Sequence, residues 1–204
     1  MKIWFEIGKR LLPQLTWSRG SQEKVVYLTF DDGPHPTITP CVMDELAKVG
    51  AKATFFAVGD NVRKFPQIAK QVVANGHRLE NHTMHHVKGW RMNETEYLDE
   101  IQQCADVLKS DVENKLFRPP FGQINLKAID RINENYEVIM WDVLTKDYLK
   151  GLDISKAQKR IQKDTVAGSI VVFHDSQKAE ENLRSLLSPY LQFLKSEGYR
   201  MKAL

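Results

Sequence analysis

Cysteine is scarce in this chain, and long hydrophobic runs are missing. Only Cys41 and Cys104 occur among the 204 residues. They do not form a CxxC pair, and both lie in segments with helical spacing, where a buried thiol is the usual structure. A disulfide framework is therefore not expected. No apolar stretch reaches the roughly 20 residues that a membrane-spanning helix requires, so the sequence predicts no transmembrane segment.

Charge of one sign is not concentrated anywhere along the chain. The 29 basic and 26 acidic residues give a formal net charge of +3 and are interspersed, so composition offers no basis for nucleic-acid binding. Hydrophobic residues make up 42% of the chain, which suffices for a full core at this length. We therefore expect one globular domain and leave its oligomeric state open.

The N-terminal segment lacks the uninterrupted apolar core, roughly 7–15 residues long, of a secretory signal. Residues 1–13 mix Lys9 and Arg10 with apolar side chains. This pattern favours an amphipathic helix that covers the open bottom of a barrel, with a membrane-surface anchor as the alternative. Because no export signal is visible, we expect a cytoplasmic protein, with an envelope-associated location as the alternative.

Two adjacent carboxylates end a strand-like run near the start of the chain. Residues 25–30 are rich in β-branched and aromatic side chains, which is typical of a buried strand, and Asp31, Asp32, Gly33 and Pro34 follow directly. Ligands of α/β folds bind at the carboxyl ends of strands, where neighbouring carboxylates either perturb each other's pKa or are held by a cation. The alternative is an ordinary turn or helix-capping aspartate.

Strand-like and helix-like segments alternate through the rest of the chain. Thr39 and Pro40 resemble an N-cap followed by a proline in the first helical turn, and Asn93 is a second candidate cap. The predicted strands are 25–30, 53–58, 77–81, 116–117, 136–141, 169–173 and 199–201. Seven strands that alternate with helices predict an α/β fold, in which a parallel sheet with right-handed crossovers is either open or closed as an incomplete barrel.

Unusual polar residues recur where the predicted strands end. They are Asp31 and Asp32, the histidines between 82 and 86, Arg118, the aspartates between 142 and 147, and the pair His174 and Asp175. In barrel enzymes each strand-to-helix loop contributes one part to a common mouth. This regularity therefore predicts a single polar site that is assembled from loops far apart in sequence.

Four of the six histidines lie within residues 77–86. His82 and His86 are four positions apart, so one turn of helix would place both imidazoles on the same face, within reach of one metal ion. With a carboxylate such as Asp32 they make a set of two histidines and one acid, which leaves a coordination position open for water at a catalytic zinc. Surface or capping histidines are the alternative.

Two further polar residues at strand ends have both a functional and a structural interpretation. Arg118 precedes two prolines that stiffen its loop, and it is either a bidentate partner of one of the acids or a surface arginine. His174 ends an apolar strand and is either a general acid, since imidazole titrates near neutral pH, or a capped structural histidine. The remaining histidines, His35, His77 and His85, are interpreted as structural residues or as residues at the rim of the site.

Five motifs follow one another along the chain. They are Thr-Phe-Asp-Asp-Gly-Pro at 29–34, His-Thr-x-x-His at 82–86, Arg-Pro-Pro-Phe-Gly at 118–122, Trp-Asp-Val-x-Thr-x-Asp at 141–147 and Phe-His-Asp at 173–175. Over residues 24–203 the chain resembles the polysaccharide deacetylases, the family-4 carbohydrate esterases that share the NodB homology domain. The resemblance implies a distorted, TIM-like (β/α)7 barrel that closes incompletely. It also implies a single deacetylase domain over residues 1–204, with residues 1–23 as an N-terminal extension.

The resemblance implies a role for each motif residue. Asp32, His82 and His86 would bind one divalent metal ion, with zinc as the first expectation and cobalt, manganese and nickel as alternatives. Asp31 would be the general base and His174 the general acid. These are the groups that a metal-dependent amide hydrolysis requires.

Other motif residues would support these groups. Arg118 would lie against Asp31, and Asp147 would orient His174 and stabilise its charge. The backbone N–H of Phe121 would help to hold the oxyanion. Each of these roles is implied by the resemblance to the family.

Aromatic residues near the strand ends are candidates for substrate contacts. Tyr148 and Trp141 would contact the substrate, and Trp90 and Phe121 are further candidates for stacking on sugar faces, with core packing as the alternative. Two positions depart from the family pattern. Tyr148 stands where tryptophan is common, which bears on substrate size. Leu144 stands where many members have a further acid that is not part of the core mechanism.

The expected activity is hydrolysis of N-acetyl groups from glycans that contain N-acetylglucosamine, of the chitooligosaccharide or peptidoglycan type, with release of acetate. One alternative within the same family is hydrolysis of another amide or ester, such as acetyl-xylan, allantoin or a cyclic imide. Another is a non-catalytic carbohydrate-binding protein on the same barrel. The complete set of Asp32, His82 and His86 favours the deacetylase over both.

Overall fold

Strands and helices alternate along the chain in the structure, a computed structural model that describes residues 2–20, 22–108 and 115–204. The helices are α1 (Lys2–Leu11), α2 (Ile38–Lys48), α3 (Gly59–Lys64), α4 (Pro66–Ala74), α5 (Glu94–Leu108), α6 (Ile129–Asn133), α7 (Ile154–Asp164) and α8 (Glu180–Ser196). The strands are β1 (Val25–Asp31), β2 (Thr54–Ala57), β3 (Arg78–Asn81), β4 (Leu116–Phe117), β5 (Glu137–Val138), β6 (Val143–Leu144), β7 (Ile170–His174) and β8 (Arg200–Lys202). Short 3₁₀ turns are formed by Gly89–Arg91, Pro120–Gly122 and Leu126–Ala128.

The strands form one parallel sheet in the order β5-β4-β3-β2-β1-β7-β6. β8 extends the sheet at the start of β1, since residues 25–27 pair with β8 and residues 29–31 pair with β2. Within the part of the chain that the structure describes, β5 and β6 are the two edges, and no ladder joins them. The prediction of a distorted (β/α)7 barrel that does not close is confirmed.

The chain crosses from one edge of the sheet to the other between β5 and β6. The sequence predicts a strand over 136–141, but regular pairing there is limited to Glu137–Val138, and a strand that was not predicted forms at Val143–Leu144. Ile139 pairs instead with Thr16 of the N-terminal segment. The apolar run over 136–141 therefore does not form one continuous strand.

Hydrophobic side chains on one face of the strands pack against the surrounding helices. Phe30 of β1 stacks on Phe55 of β2 and on Phe173 of β7, with ring centroids 5.1 and 5.7 Å apart. Leu46 of α2 and Leu194 of α8 are fully buried in the same cluster. Removal of this apolar area from water is the main favourable contribution to folding.

The opposite face of the strands lines the interior of the barrel. Because side chains alternate along a strand, Thr29 and Asp31 face the interior while Phe30 faces the helices. Arg118 is fully buried in this interior, with its guanidinium carbon 4.1 Å from the ring centroid of Phe56. A buried charge needs polar partners, and these partners belong to the site described below.

The predicted N-terminal helix forms as α1, and the segment after it packs along the open side of the sheet. Thr16 pairs with Ile139, and the N–H of Arg19 donates to the carbonyl of Gly168, just before β7, at 2.8 Å. The first residue of the predicted amphipathic segment and the side chains up to residue 5 lie outside the described part of the chain. Among the described helices, none has both the length and the apolar character needed to cross a bilayer. The boundary after residue 23 and the single domain stay predictions.

One of the two predicted helix caps is wrong. α2 begins at Ile38, so Thr39 lies in its first turn, and its hydroxyl donates to the Asp175 carboxylate instead of capping the helix. The cap at Asn93 is confirmed, because Oδ1 accepts a hydrogen bond of 2.9 Å from the N–H of Glu96 in the first turn of α5. Thr39 therefore joins the first turn of α2 to the loop after β7.

Candidate active site

The carboxyl ends of the parallel strands meet at one end of the barrel, and Asp31, Arg118 and His174 lie there. In the ladder between β1 and β7, Asp31 is paired with His174. Arg118 follows β4, and its N–H donates to the carbonyl of Asn81 at the end of β3 at 3.0 Å. The register therefore brings residues that follow or end β1, β3, β4 and β7 to a common mouth.

Asp31 is the more buried of the two adjacent carboxylates. Its side chain is 5% exposed, and Oδ1 accepts a hydrogen bond of 2.7 Å from Nη1 of Arg118. The same Nη1 donates to Oγ1 of Thr29 at 2.6 Å. Nε and Nη2 donate to the carbonyls of Ile139 and Met140, at 3.2 and 3.0 Å. The predicted bidentate contact is wrong, because the guanidinium divides its donors between the carboxylate, a hydroxyl and the chain after β5.

Asp32, the next residue, faces two imidazoles. Its Oδ1 lies 3.1 Å from Nε2 of His86 and 3.8 Å from Nε2 of His82. One ligand atom from each of the three residues lies within 4.8 Å of the others. The side chain of Asp32 is 26% exposed and that of His86 is similar, so the cluster is reached from solvent. The structure thus brings together the three residues that the sequence assigns to a metal.

The two histidines do not lie on a helix, contrary to the prediction. They belong to the loop after β3, in which Thr83 and His86 have positive φ values of 65° and 55°. The Thr83 hydroxyl accepts from the N–H of Val87 at 3.2 Å, and its own N–H donates to Oδ1 of Asn81 at 3.0 Å. Hydrogen bonds within the loop, rather than a helical turn, therefore bring His82 and His86 to one side.

Backbone strain is concentrated at this mouth. The non-glycine residues with positive φ in the described ranges are Asp32, Thr83, His86, Phe121 and Lys146. Each lies in a loop that follows the carboxyl end of a strand. Such conformations cost of the order of 1–3 kcal/mol each and persist only where surrounding contacts hold them. The contacts around Asp32 and His86 therefore hold these two residues in the strained conformations that the site requires.

His82 has the surroundings of a neutral metal ligand. It is buried, and its Nδ1 donates to the carbonyl of Arg118 at 2.7 Å. This hydrogen bond leaves the lone pair on Nε2, the atom that faces Asp32. Burial lowers the pKa of His82 to about 4, against the charges of Asp31 and Asp32, so the ring is neutral at pH 7. Metal ligation requires a neutral, oriented imidazole.

Asp175 holds the turn that carries Asp32. Its N–H donates to the carbonyl of Asp31 at 3.0 Å, and its buried carboxylate accepts from the N–H of Gly33 at 3.1 Å and from the hydroxyl of Thr39 at 2.5 Å. A Cβ atom on Gly33 would overlap this carboxylate, so the close approach requires glycine. Burial raises the pKa of Asp175 to about 7, although these hydrogen bonds oppose the shift. The sequence placed Asp175 in a motif but carried no signal for this contact.

His174 and Asp147 form a pair beside Asp31. Nδ1 of His174 donates to Oδ1 of Asp147 at 2.7 Å, and its backbone N–H donates to Oδ2 at 2.8 Å. Burial would lower the pKa of His174, but the hydrogen bond and charge of Asp147, with the charges of Asp31 and Asp32, raise it to about 9. The imidazole is therefore protonated at neutral pH, and its Nε2 is the atom available to a substrate.

The other histidines have structural contacts. His85 lies at the rim, where Nδ1 and the backbone N–H bind the two carboxylate oxygens of Glu100 at 2.7 and 2.9 Å. His77 is buried, and its Nδ1 accepts from the N–H of Ala53 at 3.2 Å. Burial lowers the pKa of His77 to about 4. His35 packs into the turn that leads to α2. These positions agree with the interpretation of the three histidines as structural or rim residues.

Aromatic rings flank the cleft on two sides. The exposed ring of Phe121 packs edge-on against His86, with centroids 4.6 Å apart, and Tyr148 packs edge-on against His174 at 5.0 Å. Trp141 is partly buried between two core clusters. The contacts of Phe121, Tyr148 and Trp141 with a substrate stay predictions.

Sequence reasoning missed residues that support the site from outside the motifs. An open cavity of about 580 Å³ lies over Asp32 and His86 and is also lined by Asn61. Asn61 donates from Nδ2 to the carbonyl of Asp32 at 2.8 Å. Asn182 of α8 donates from Nδ2 to the carbonyl of Asp147 at 2.6 Å. Both asparagines occupy helices, where their spacing gives no sign of contacts to loops distant in sequence.

Asp142 lies at the opposite end of the sheet, contrary to expectation. Its Oδ1 accepts from the N–H of Ile170 at 2.7 Å and its Oδ2 from the hydroxyl of Ser169 at 2.8 Å, at the start of β7. The expectation rested on a strand over 136–141 whose carboxyl end would have placed Asp142 at the mouth. Because β6 begins at residue 143, Asp142 precedes a strand instead of following one.

A family model described as polysaccharide deacetylase matches residues 18–137, more than half of the chain. The chain belongs to the polysaccharide deacetylase family. A peptidoglycan-N-acetylglucosamine deacetylase of Bacillus cereus is 33% identical to this deacetylase over 190 residues, which cover 91% of the chain and 89% of the relative. A chitooligosaccharide deacetylase of Azorhizobium caulinodans is 31% identical over 160 residues, which cover 76% of each protein.

The fold of this deacetylase matches that of a solved relative over nearly its whole length. The crystal structure of the Bc1960 peptidoglycan N-acetylglucosamine deacetylase superimposes with a TM-score of 0.90 at 29% identity and covers 97% of this chain and 94% of that one. The predicted family and fold are confirmed, and the protein is a carbohydrate deacetylase. The family is metal-dependent, and Asp32, His82 and His86 form the candidate metal site of this member.

Proposed function

We propose that this deacetylase removes the acetyl group from N-acetylglucosamine residues of a glycan and releases acetate. The observation that carries the proposal is the placement of a charge-paired carboxylate, Asp31, and an imidazole paired with Asp147, that of His174, beside the Asp32 cluster. An amide hydrolysis needs a base for water and an acid for the amine. The relatives named for peptidoglycan N-acetylglucosamine and for chitooligosaccharides support this choice of substrate.

The donor set fits a divalent metal ion, and zinc is our proposal, with cobalt, manganese and nickel as alternatives. Two imidazole nitrogens and one carboxylate oxygen within 4.8 Å are ligand types of catalytic zinc sites that keep a further position open. The hydrogen bond from Nδ1 of His82 to a backbone carbonyl is the outer contact that orients metal-binding histidines. When bound, the ion supplies Lewis acidity, which polarises the acetyl carbonyl and activates water.

We assign to Asp31 the role of the base that takes the proton of the attacking water. Because Oδ1 is hydrogen-bonded to Arg118, we assign Oδ2 as the atom that accepts this proton. Arg118 keeps the carboxylate oriented and compensates its charge in the interior. We assign the hydrogen bond to the oxyanion to the N–H of Phe121, since this residue lies against His86 at the edge of the cleft.

We assign to His174 the role of the acid that protonates the leaving nitrogen from Nε2. An amine leaves slowly unless it is protonated, so the donor must hold its proton at neutral pH. Asp147 binds the opposite nitrogen at 2.7 Å and, with the nearby carboxylates, raises the pKa of His174 to about 9. The pair thus holds a proton where the departing amine forms.

Acetate release from a panel of substrates tests this proposal. The panel contains chitooligosaccharides, peptidoglycan fragments and acetyl-xylan, with ring opening of allantoin measured alongside. We expect turnover of at least one N-acetylated glycan that is lost on chelation and restored by added metal, with Asp31→Asn as the inactive control. Faster turnover of acetyl-xylan or allantoin than of every N-acetylated glycan would show that the substrate is assigned wrongly.

A further inference from the structure

A buried carboxylate of α5 lies outside every motif and has no part in the chemistry described above. This residue, Glu100, is 9% exposed. A carboxylate in such surroundings is costly unless it is hydrogen-bonded and paired. Both of its oxygens bind one residue, His85, which lies in the sequence between the candidate metal ligands His82 and His86. Glu100 therefore contacts the loop that carries two of the three candidate ligands.

Glu100 holds this loop by three hydrogen bonds. Oε2 accepts from the backbone N–H of His85 at 2.9 Å, and Oε1 accepts from Nδ1 of the same residue at 2.7 Å. The carbonyl of Glu100 accepts from the N–H of Met84 at 3.0 Å. Because the N–H and the ring of His85 are held together, the backbone φ angle of His85 is restricted. This restriction limits where the chain can place His86.

The start of α3 holds the opposite side of the same loop. The carbonyl of Thr83 accepts from the N–H of Gly59 at 3.0 Å, and the carbonyl of Met84 accepts from the N–H of Asp60 at 3.0 Å. Met84 is fully buried, and a Cβ atom on Gly59 would lie 2.5 Å from its sulfur. The loop is therefore held between α3, which binds its carbonyls, and Glu100, which binds its N–H groups.

The two candidate histidine ligands differ in how their rings are oriented. Nδ1 of His82 donates to a backbone carbonyl at 2.7 Å, whereas within the described ranges no hydrogen bond orients Nδ1 of His86. Nε2 of His86 lies 3.1 Å from Oδ1 of Asp32. His86 also has a positive φ of 55°, a conformation that persists only where surrounding contacts hold it. The position of this ring therefore depends on the loop backbone, which Glu100 holds one residue earlier.

We propose that Glu100 is a positioning residue of the metal site. Through His85 it fixes the backbone that carries His86 and keeps Nε2 of His86 directed at Asp32. The inference rests on the metal site of the proposed function, adds to it a residue from outside the motifs, and does not depend on which glycan is deacetylated. Carboxylates that orient metal-binding histidines usually bind the second nitrogen of the ligand ring itself. Here the carboxylate acts through the neighbouring residue instead.

Calorimetric titration of the metal-free protein with zinc tests this role in the wild type, Glu100→Ala and Glu100→Gln. Glu100→Ala should bind zinc about 10-fold more weakly, at the lower end of the effect of outer contacts. Glu100→Gln should recover most of this loss, because an amide offers an oxygen to the N–H of His85 and an N–H group to its ring.

Glu137→Ala is the matched control. Both oxygens of Glu137 are also hydrogen-bonded, to Thr16 and Arg19, but this residue lies at the start of β5, at the opposite end of the sheet. The control therefore removes a carboxylate with two partners and leaves the metal loop intact. It should bind zinc with wild-type affinity.

Visible absorption spectra of the cobalt-loaded proteins show whether the ligand geometry itself has changed. The spectrum of a bound cobalt ion depends on the arrangement of its ligands, whereas a general loss of stability leaves that arrangement unchanged in the folded molecules. Glu100→Ala should shift the bands, and Glu100→Gln and Glu137→Ala should keep the wild-type spectrum. If circular dichroism shows that Glu100→Ala is unfolded, Glu100→Asp replaces it, because the shorter side chain withdraws both oxygens from His85.

These measurements separate the inference from the proposed function. Neither uses a glycan, so a wrong substrate assignment would leave the inference standing. If the wild type binds neither zinc nor cobalt, the metal site of the proposed function is wrong, and the inference fails with it. If the wild type binds both ions, three results overturn the inference alone: wild-type zinc affinity with an unchanged cobalt spectrum in Glu100→Ala, equal losses in Glu100→Ala and Glu137→Ala, or no recovery in Glu100→Gln.

Discussion

Asp31 and Asp32 are adjacent in sequence but differ in their surroundings. Asp31 is 5% exposed inside the barrel, where Arg118 supplies a cation at 2.7 Å. Asp32 is 26% exposed and faces the imidazoles of His82 and His86. The protein therefore neutralises the first carboxylate with its own side chain, whereas the second belongs to the candidate metal site.

The backbone explains how two neighbouring residues reach such different places. Asp31 is the last residue of β1 and keeps the alternation that directs its side chain inward. Asp32 has a φ of 80°, which turns the chain out of the ladder. Burial would raise the pKa of Asp32, but the hydrogen bond with His86 and the charges of the nearby histidines hold it well below its usual range. The carboxylate of Asp32 is thus ionised and available as a ligand.

Removal of His174 has the largest expected effect on the deacetylation rate. It tests whether the imidazole has a role of its own, distinct from those of Asp31 and Asp32. His174→Ala should lower deacetylation of an N-acetyl sugar by ~10²–10⁴, the usual effect of a positioned proton donor, with bound metal unchanged. An activated aryl acetate should lose far less, because phenolate leaves without protonation. Rates on both substrates and metal content by mass spectrometry check this. Equal losses on the two substrates would show that His174 acts in the attack of water or in substrate binding. Loss of bound metal would show that His174 is a metal ligand.

Removal of the cation beside Asp31 should unfold the protein more readily. Arg118→Met leaves a buried carboxylate without a partner, which costs about 3–5 kcal/mol, and urea unfolding measures the loss. Adding Asp31→Asn should recover much of it, because the uncompensated charge is then gone. Arg131→Met is the control, since Arg131 contacts Glu94 at the surface, and an exposed pair contributes about 1 kcal/mol or less. Similar losses for Arg118→Met and the control would contradict the account.

Loosening the turn under Asp32 should weaken metal binding without removing a ligand. Asp175→Ala should reduce zinc affinity ~10–100-fold, as for other outer contacts of metal ligands, while Asp175→Asn keeps an acceptor for Gly33 and should lose less. Asp142→Ala is a matched control, because Asp142 also accepts from a backbone N–H and a hydroxyl, at the other end of β7. Calorimetry with zinc checks all three. An equal loss of affinity in the control would show a general effect on folding.

The smallest expected change is a shift in pH dependence. Against the effect of burial, Asp147 and the charges of Asp31 and Asp32 raise the pKa of His174 to about 9, so the proton donor is present below that pH and is lost above it. Asp147→Asn removes the negative charge that stabilises the imidazolium, so the pKa falls. The alkaline limb of kcat/KM for an amide substrate should move ~1–2 units toward neutral pH. A limb that stays in place would mean that another group controls it.

The polar residues at the strand ends could be predicted from the sequence, because they are marked by local patterns. A β-branched run followed by Asp31 and Asp32, and the spacing of His82 and His86, are local features. The contact of Arg118 with Asp31 was implied by the family resemblance. Each of the seven predicted strands has a counterpart in the structure, although the one over 136–141 is reduced to Glu137–Val138, because apolar runs bounded by turns are the main signal of buried strands.

What could not be predicted depends on backbone conformation and long-range contacts. Thr83 and His86 adopt positive φ without a glycine to mark it, so the spacing suggested a helix that does not form. Arg118 makes only one hydrogen bond to Asp31 because its Nε and Nη2 donate to carbonyls of the chain after β5. The sequence predicts Asp142 at the wrong end of the sheet, because the chain crosses from the β5 edge to the β6 edge at this point. Each error arose where packing overrides local pattern.

The most direct test of the difference between Asp31 and Asp32 is calorimetric zinc binding to the metal-free Asp31→Asn and Asp32→Asn variants, with circular dichroism to verify folding. The account predicts that Asp31→Asn binds one ion per chain with nearly wild-type affinity but does not deacetylate. Asp32→Asn should bind zinc more than ~100-fold more weakly, since loss of a ligand exceeds the effect of an outer contact. Tight binding by Asp32→Asn together with loss of binding by Asp31→Asn would show that the two carboxylates have been assigned the wrong way round.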